Sequence, residues 1–208
     1  MYALAASAAG VSLLALAKPA EAKVVYTPAH IILGNDDVYY LDLNHDGTKD
    51  FRFVNWLACT ETCGWNSIYV LRSGTNSVAA YGSWDWVYAL QYGAVVGSKR
   101  SFKFWGELVR GSNGPWHKNM ASTRAYVGLK FSIKGKFHYG WARLTVEGSQ
   151  GTDIAILTGY AYETVPNKSI IAGKTKGPDV ITVQPGNLGH LAQGSAGLAA
   201  WRKTGGNE

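Results

Sequence analysis

The chain is poor in the residues that usually announce an activity. Its 208 residues include only two cysteines, two methionines and six prolines. No Gly-x-Ser-x-Gly elbow, His-Glu-x-x-His pair or Gly-rich phosphate loop occurs, so no motif supports those hydrolase and nucleotide classes. The histidines, His30, His45, His117, His138 and His190, show no metal-ligand spacing. Like-charged blocks are also missing. The formal net charge is +6, but only Lys99-Arg100 and the stretch from Lys134 to Lys136 cluster. Nucleic-acid binding needs a concentrated basic face, and the sequence does not offer one. Long apolar runs end early. Residues 3–17 are apolar and uncharged, yet a bilayer span needs about twenty such residues. No stable membrane span is expected of the mature chain.

That early run carries its own meaning. Lys18-Pro19 breaks it, and Ala20-Glu21-Ala22 places small residues where a signal peptidase cuts. The pattern predicts an export signal over residues 1–22. Export would put the protein outside the cell or in the envelope. There Cys59 and Cys63, four apart, are expected to form a disulfide. Closing so short a loop would stabilise the fold by about 2 kcal/mol.

What the remainder has in quantity is strand chemistry. There are 25 glycines, 12 tyrosines and eight tryptophans, and short Val, Ile and Thr stretches alternate with Gly, Asn, Ser and Asp. The pattern predicts strands near residues 24–26, 31–33, 38–43, 51–55, 68–71, 78–81, 102–107, 125–133, 137–146, 152–163 and 170–172. Alternation is clearest from Ala125 to Ile133. The odd positions there are apolar and expected to face a core, with Lys130 and Ser132 facing water. Lys134-Gly135-Lys136 should turn this strand into a hairpin with the next. Residues 82–97 read as a strand edge or a short helix. The fold expected is all-β: a two-sheet antiparallel sandwich of jelly-roll type over residues 23–173. A flexible tail should follow over residues 174–208.

One stretch points to a ligand. Asp42-Leu43-Asn44-His45-Asp46-Gly47-Thr48-Lys49-Asp50 puts oxygen side chains at positions one, three, five and nine, with glycine at the bend. Calcium takes six to eight oxygens at about 2.3–2.6 Å, and alternate side chains of a short loop can turn inward to supply them. Predicted ligands are Asp42, Asn44, Asp46 and Asp50 through their side chains and Thr48 through its carbonyl. The flanks read as strands, so the site would be strand–loop–strand. The plain alternative is an Asn/Asp/Gly turn. These residues resemble the calcium loops of β-rich extracellular repeats of the integrin and VCBS types. The resemblance covers about a dozen residues and implies bound Ca2+ in a β context.

A second resemblance lies downstream. Phe137-His138-Tyr139-Gly140-Trp141-Ala142-Arg143-Leu144 and Gly159-Tyr160-Ala161-Tyr162-Glu163, with the segment from Leu188 to Lys203, are similar to exported bacterial proteins carrying PEP-CTERM sorting tails. Gln184-Pro185-Gly186 stands where the family has Pro-Glu-Pro.

Three tryptophans are candidate sugar platforms: Trp84 and Trp86 beside Asp85, and Trp116 in a Gly/Asn/Pro loop. The alternative for each is burial in the core. Asp85 and Glu107 are the acids a glycosidase would need. These readings predict an exported, calcium-stabilised structural or adhesive protein, without catalysis, that contacts surface or extracellular polysaccharide. The alternatives are a carbohydrate-binding module and a glycan-cleaving enzyme.

Overall fold

A computed structural model describes residues 23–59, 63–117, 122–149 and 152–183. The expected export segment and the sorting-like segment beyond residue 183 lie outside the described residues. The described chain contains strands and no helix. In order they are β1 (Val24–Leu33), β2 (Val38–Leu41), β3 (Phe51–Cys59), β4 (Cys63–Arg72), β5 (Ser77–Tyr81), β6 (Trp86–Val87) and β7 (Val95–Val96). Then come β8 (Phe102–Lys103), β9 (Trp105–Arg110), β10 (Thr123–Ile133), β11 (Lys136–Ser149), β12 (Thr152–Glu163), β13 (Ile170–Ile171) and β14 (Val180–Thr182). No described helix is long and apolar enough to cross a membrane.

The fold is all-β, as expected, with one large mixed sheet and a small second pair. One hydrogen-bonded path runs β14-β1-β12-β11-β10-β5-β6-β9-β4-β3-β2, with β8 beside β5, and β13 and β7 form a separate pair. Two pairings on the path, β1 with β14 and β6 with β9, are parallel. The junction is β5. Its Ser77 and Val78 pair with β10, whereas Ala80 and Tyr81 pair with β6. Each half of the sheet contains a meander, β2-β3-β4 in one and β10-β11-β12 in the other.

The two halves share one core. Leu41, Phe51, Phe53, Ile68, Val70 and Val109 come from the β2-to-β9 half. Ala125, Val127, Leu129, Phe131, Leu144 and Leu157 come from the other, and all twelve belong to a single buried cluster. Burial of each large apolar side chain contributes about 1.5–3 kcal/mol, so neither half has a dry side without its counterpart. The β10–β11 hairpin forms as expected. Ile133 pairs with Lys136 across Lys134 (φ 49°) and Gly135 (φ 77°), two left-handed residues that match strand twist.

On the second face of β10, Lys130 and Ser132, expected to face water, are half-buried. Tyr126 is only 8% exposed. With Tyr139, Trp141 and Ala161 it packs under Leu90, Val96, Ile170 and Ala172 in a second cluster. Residues 88–104 and 170–172 therefore lie over this face as a cover. Gly128 shows how close they come: a Cβ there would sit 2.9 Å from Ala79 Cβ and 3.2 Å from Val96 Cγ1. Lys130, half-buried, lays its ammonium 4.1 Å from the Phe137 ring centre. Residues 82–97 form no helix, because left-handed residues at Gly82, Asp85 and Gly93 interrupt them.

Ordered structure also passes the boundary expected at residue 173. Val180, Ile181 and Thr182 pair in parallel with Val24, Val25 and Tyr26. The Val183 N–H then donates to the Tyr26 carbonyl at 2.7 Å.

Candidate functional site

The acidic loop joins β2 to β3, in the strand–loop–strand setting expected. Its shape follows from its side chains. Asp42 Oδ2 accepts the Gly47 N–H at 2.8 Å and its Oδ1 accepts the Asp46 N–H at 3.2 Å. Asp46 Oδ1 accepts the Thr48 N–H at 2.8 Å, and its Oδ2 accepts from Asn44 Nδ2 at 2.9 Å. Each carboxylate thus folds the backbone around itself, as Asp and Asn do in turns. Gly47 takes the left-handed bend at φ 91° with nothing within 4 Å of its missing Cβ, so conformation and not space requires it.

Asp50 has a different role from Asp42 and Asp46. It is 4% exposed. Its Oδ2 accepts the Leu43 N–H at 2.8 Å, and Asn76 Nδ2 reaches its Oδ1 at 3.2 Å and its carbonyl at 3.1 Å. Asn76 Oδ1 in turn accepts the Ser132 N–H at 3.0 Å. Asp50 and Asn76 therefore tie the base of the loop to β10. On the other side, His45 Nε2 lies 3.0 Å from Thr27 Oγ1 and 3.4 Å from the Tyr160 hydroxyl, which ties the loop to β1 and β12.

The electrostatics follow these positions. Burial pushes the Asp50 carboxyl up to about 6, against the hydrogen bonds from Leu43 and Asn76, and the charges of Asp42 and Asp46 add to the rise. Asp46 is held below the ordinary carboxylate range, chiefly by the Asn44 amide. Burial lowers His45, with Asp42 opposing. Burial also raises Tyr160, helped by Tyr39 and Asp42.

The donor set suits a hard cation. A carboxylate oxygen that accepts one N–H keeps a second acceptor position, and this holds for both oxygens of Asp42 and Asp46. Asn44 Oδ1 is buried without a hydrogen-bond partner, a costly state for an amide oxygen unless something meets it. Among the described residues no three His, Cys, Asp or Glu side chains are gathered to hold an ion, and Asp50 is engaged by Leu43 and Asn76. The residues that fit are Asp42, Asn44 and Asp46, beside Thr48, with Asp50 fixing the loop beneath them.

The two cysteines face each other across the β3–β4 hairpin in backbone register. Their side chains, and so the expected disulfide, lie outside the described residues.

The three tryptophans separate sharply. Trp116 is fully buried in the shared core and donates its Nε1–H to the Val87 carbonyl at 3.1 Å. It has no face to offer a sugar, and its polar neighbours in sequence gave the wrong impression. Trp84 is 60% exposed and Trp86 half-buried. With Arg110 and Asn113 they line a cleft of about 310 Å3, and the Arg110 guanidinium lies 5.5 Å over the Trp84 ring. Both nearby acids are engaged. Asp85 pairs with Lys103 at 3.3 Å, and Glu107 Oε1 takes the Ser67 hydroxyl at 2.9 Å and lies 3.5 Å from Arg110 Nε.

A buried polar cluster was not anticipated. Asn55 and Asn66 are fully buried. Asn55 Nδ2 donates to the carbonyls of Leu33 (3.1 Å) and Asp153 (2.8 Å), and Asn66 Nδ2 donates to Asn55 Oδ1 (2.9 Å) and the Asp153 carbonyl (2.7 Å). His117 Nδ1 lies 3.3 Å from Asp153 Oδ1. Burial raises the Asp153 carboxyl, against the pull of His117. Parity held the signal: Asn55 follows Phe51 and Phe53 on the inward side of β3.

With the fold and these sites described, comparison with known protein families, curated proteins and solved structures finds no match.

Proposed function

We propose that this is an exported protein of the cell envelope or extracellular matrix, stabilised by Ca2+ and acting structurally or adhesively through contact with polysaccharide. The observation that carries the calcium reading is the buried, unpartnered Asn44 Oδ1, on the same loop as the carboxylates Asp42 and Asp46, whose oxygens keep acceptor positions free. A cation there would give that oxygen a partner and offset the repulsion of the two acids. Because the unfolded chain would not hold the ion, binding would stabilise the fold. The test is calorimetric titration of the metal-free protein with Ca2+. One site, lost in Asp46→Ala, is expected; no heat from the wild type in chelator-treated buffer would leave the segment as a turn only.

A second reading, a carbohydrate-binding module, is favoured by the Trp84–Trp86–Arg110–Asn113 cleft. An exposed indole with a guanidinium over one face and an amide in the same cleft suits a sugar, apolar on its faces and polar at its rim. Glycan binding lost in Trp84→Ala at unchanged Tm would support it.

A further inference from the structure

We infer that the outer face of β2–β3–β4–β9–β6 is a docking surface for an acidic polysaccharide, with Arg52 as its carboxylate-binding residue. This rests on the polysaccharide contact proposed above and names where and for which chemistry it occurs. Register defines the face, because residues paired across strands project to the same side. Tyr40 pairs with Arg52, Arg52 with Leu71 and Leu71 with Trp105. The next rung runs Val38, Val54, Tyr69, Glu107 and Trp86. A third joins Trp56, Ser67 and Arg110. The alternate residues Phe51, Phe53, Ile68 and Val70 point into the shared core, so these rungs point away from it.

None of its residues belongs to either buried cluster. Tyr40, Val38 and Trp56 are 51%, 47% and 46% exposed and Arg52 is exposed, whereas Val54, Ser67 and Glu107 are buried. Five strands about 4.8 Å apart make a platform about 19 Å wide. That is an extended surface, suited to a chain and not to a single small molecule.

Its chemistry selects the occupant. Aromatic rings supply flat apolar area for sugar faces. Arg52 is exposed, opposite Tyr40, and makes no ion pair among the described residues. The one acid on the rungs, Glu107, is buried against Ser67 and Arg110. The exposed charge on the rungs is therefore that of Arg52, with Arg110 beside Glu107, while exposed Asp36 stands beyond their Trp56 end, its Oδ1 accepting the Leu57 N–H at 3.0 Å. A planar guanidinium takes a carboxylate in two-pronged fashion, so a uronate-bearing polymer complements both features.

The experiment is affinity electrophoresis of the full mature chain in gels containing hyaluronan or its carboxyl-reduced form. Expected are retardation by hyaluronan, at least tenfold weaker retardation by the neutral polymer, and weaker binding at 500 than at 50 mM NaCl. Arg52→Gln and Tyr40→Ala should each weaken hyaluronan binding at least fivefold with Tm unchanged, and Tyr40→Phe should bind as wild type. Undiminished binding by the folded Arg52→Gln/Tyr40→Ala double variant would overturn the face and leave polysaccharide contact standing. Equal retardation by both polymers, or insensitivity to salt, would overturn the acidic class. Wild-type protein retarded by neither polymer would overturn this inference together with the reading beneath it. A dimer in sedimentation that Tyr40→Ala dissolves would give the face to a second copy of the chain instead.

Discussion

The two halves of the sheet treat their outer faces in opposite ways. In the β10–β11–β12–β1 half, aromatic residues on the side away from the core are covered by chain from residues 88–104 and 170–172. In the β2–β3–β4–β9 half the corresponding side is rich in Tyr and Trp, and Val38, Tyr40 and Trp56 on it are exposed. Both halves carry the same residue types there, so composition did not decide which would be buried. What differs is whether the chain returns over them.

That contrast is open to direct attack by substitution. The largest effect is expected at Trp141, fully buried in the covered half and edge-on to Tyr126 with ring centres 5.3 Å apart. Trp141→Ala should lower the unfolding free energy by about 3–5 kcal/mol in urea titration. A loss below about 1 kcal/mol would mean the cover is loose and the two faces are alike. Next is calcium. If the loop holds the ion, Ca2+ at a hundredfold excess over its Kd should add about 2.7 kcal/mol, seen as a Tm that a chelator lowers in the wild type but not in Asp46→Ala. A smaller effect is expected at Gly128, where a Cβ meets Ala79 and Val96. Gly128→Ala should cost about 1–3 kcal/mol through overpacking, and a neutral result would show that the cover yields. The smallest belongs to the other half: Tyr40→Ala should change stability by no more than about 0.5 kcal/mol. A loss comparable to that at Trp141 would mean that something described elsewhere in the fold does lean on it.

Much of the strand pattern was legible because local periodicity and burial agreed. The strand expected at residues 152–163 has those bounds, and the Lys134-Gly135 turn needed only the left-handed tolerance of its residues. The acidic loop fell between two strands, as its flanks implied. The internal division of its acids was not visible, because Asp50 turns to Asn76, 26 residues away. The burial of Tyr126 was not legible locally, because Leu90, Val96, Ile170 and Ala172, which pack with it, come from distant parts of the chain. Two-residue strands such as β6 and β7 have no periodicity at all; their partners create them. Trp116 was misjudged from its Asn-Gly-Pro surroundings. Gly114, at φ 121° and with a Cβ position only 2.4 Å from the Leu108 carbonyl, lets that loop press inward and carry the indole with it.

The strand β5 has a consequence for how the molecule comes apart. Since its first residues are bonded to one half and its last to the other, it acts as a hyphen between two words that mean nothing separately. A fragment ending before Thr123 would keep the acidic loop and the open aromatic platform yet lose the floor on which both rest. Neither proposed ligand could then be tested on a minimal piece, and thermal melting should register as one event from either vantage point.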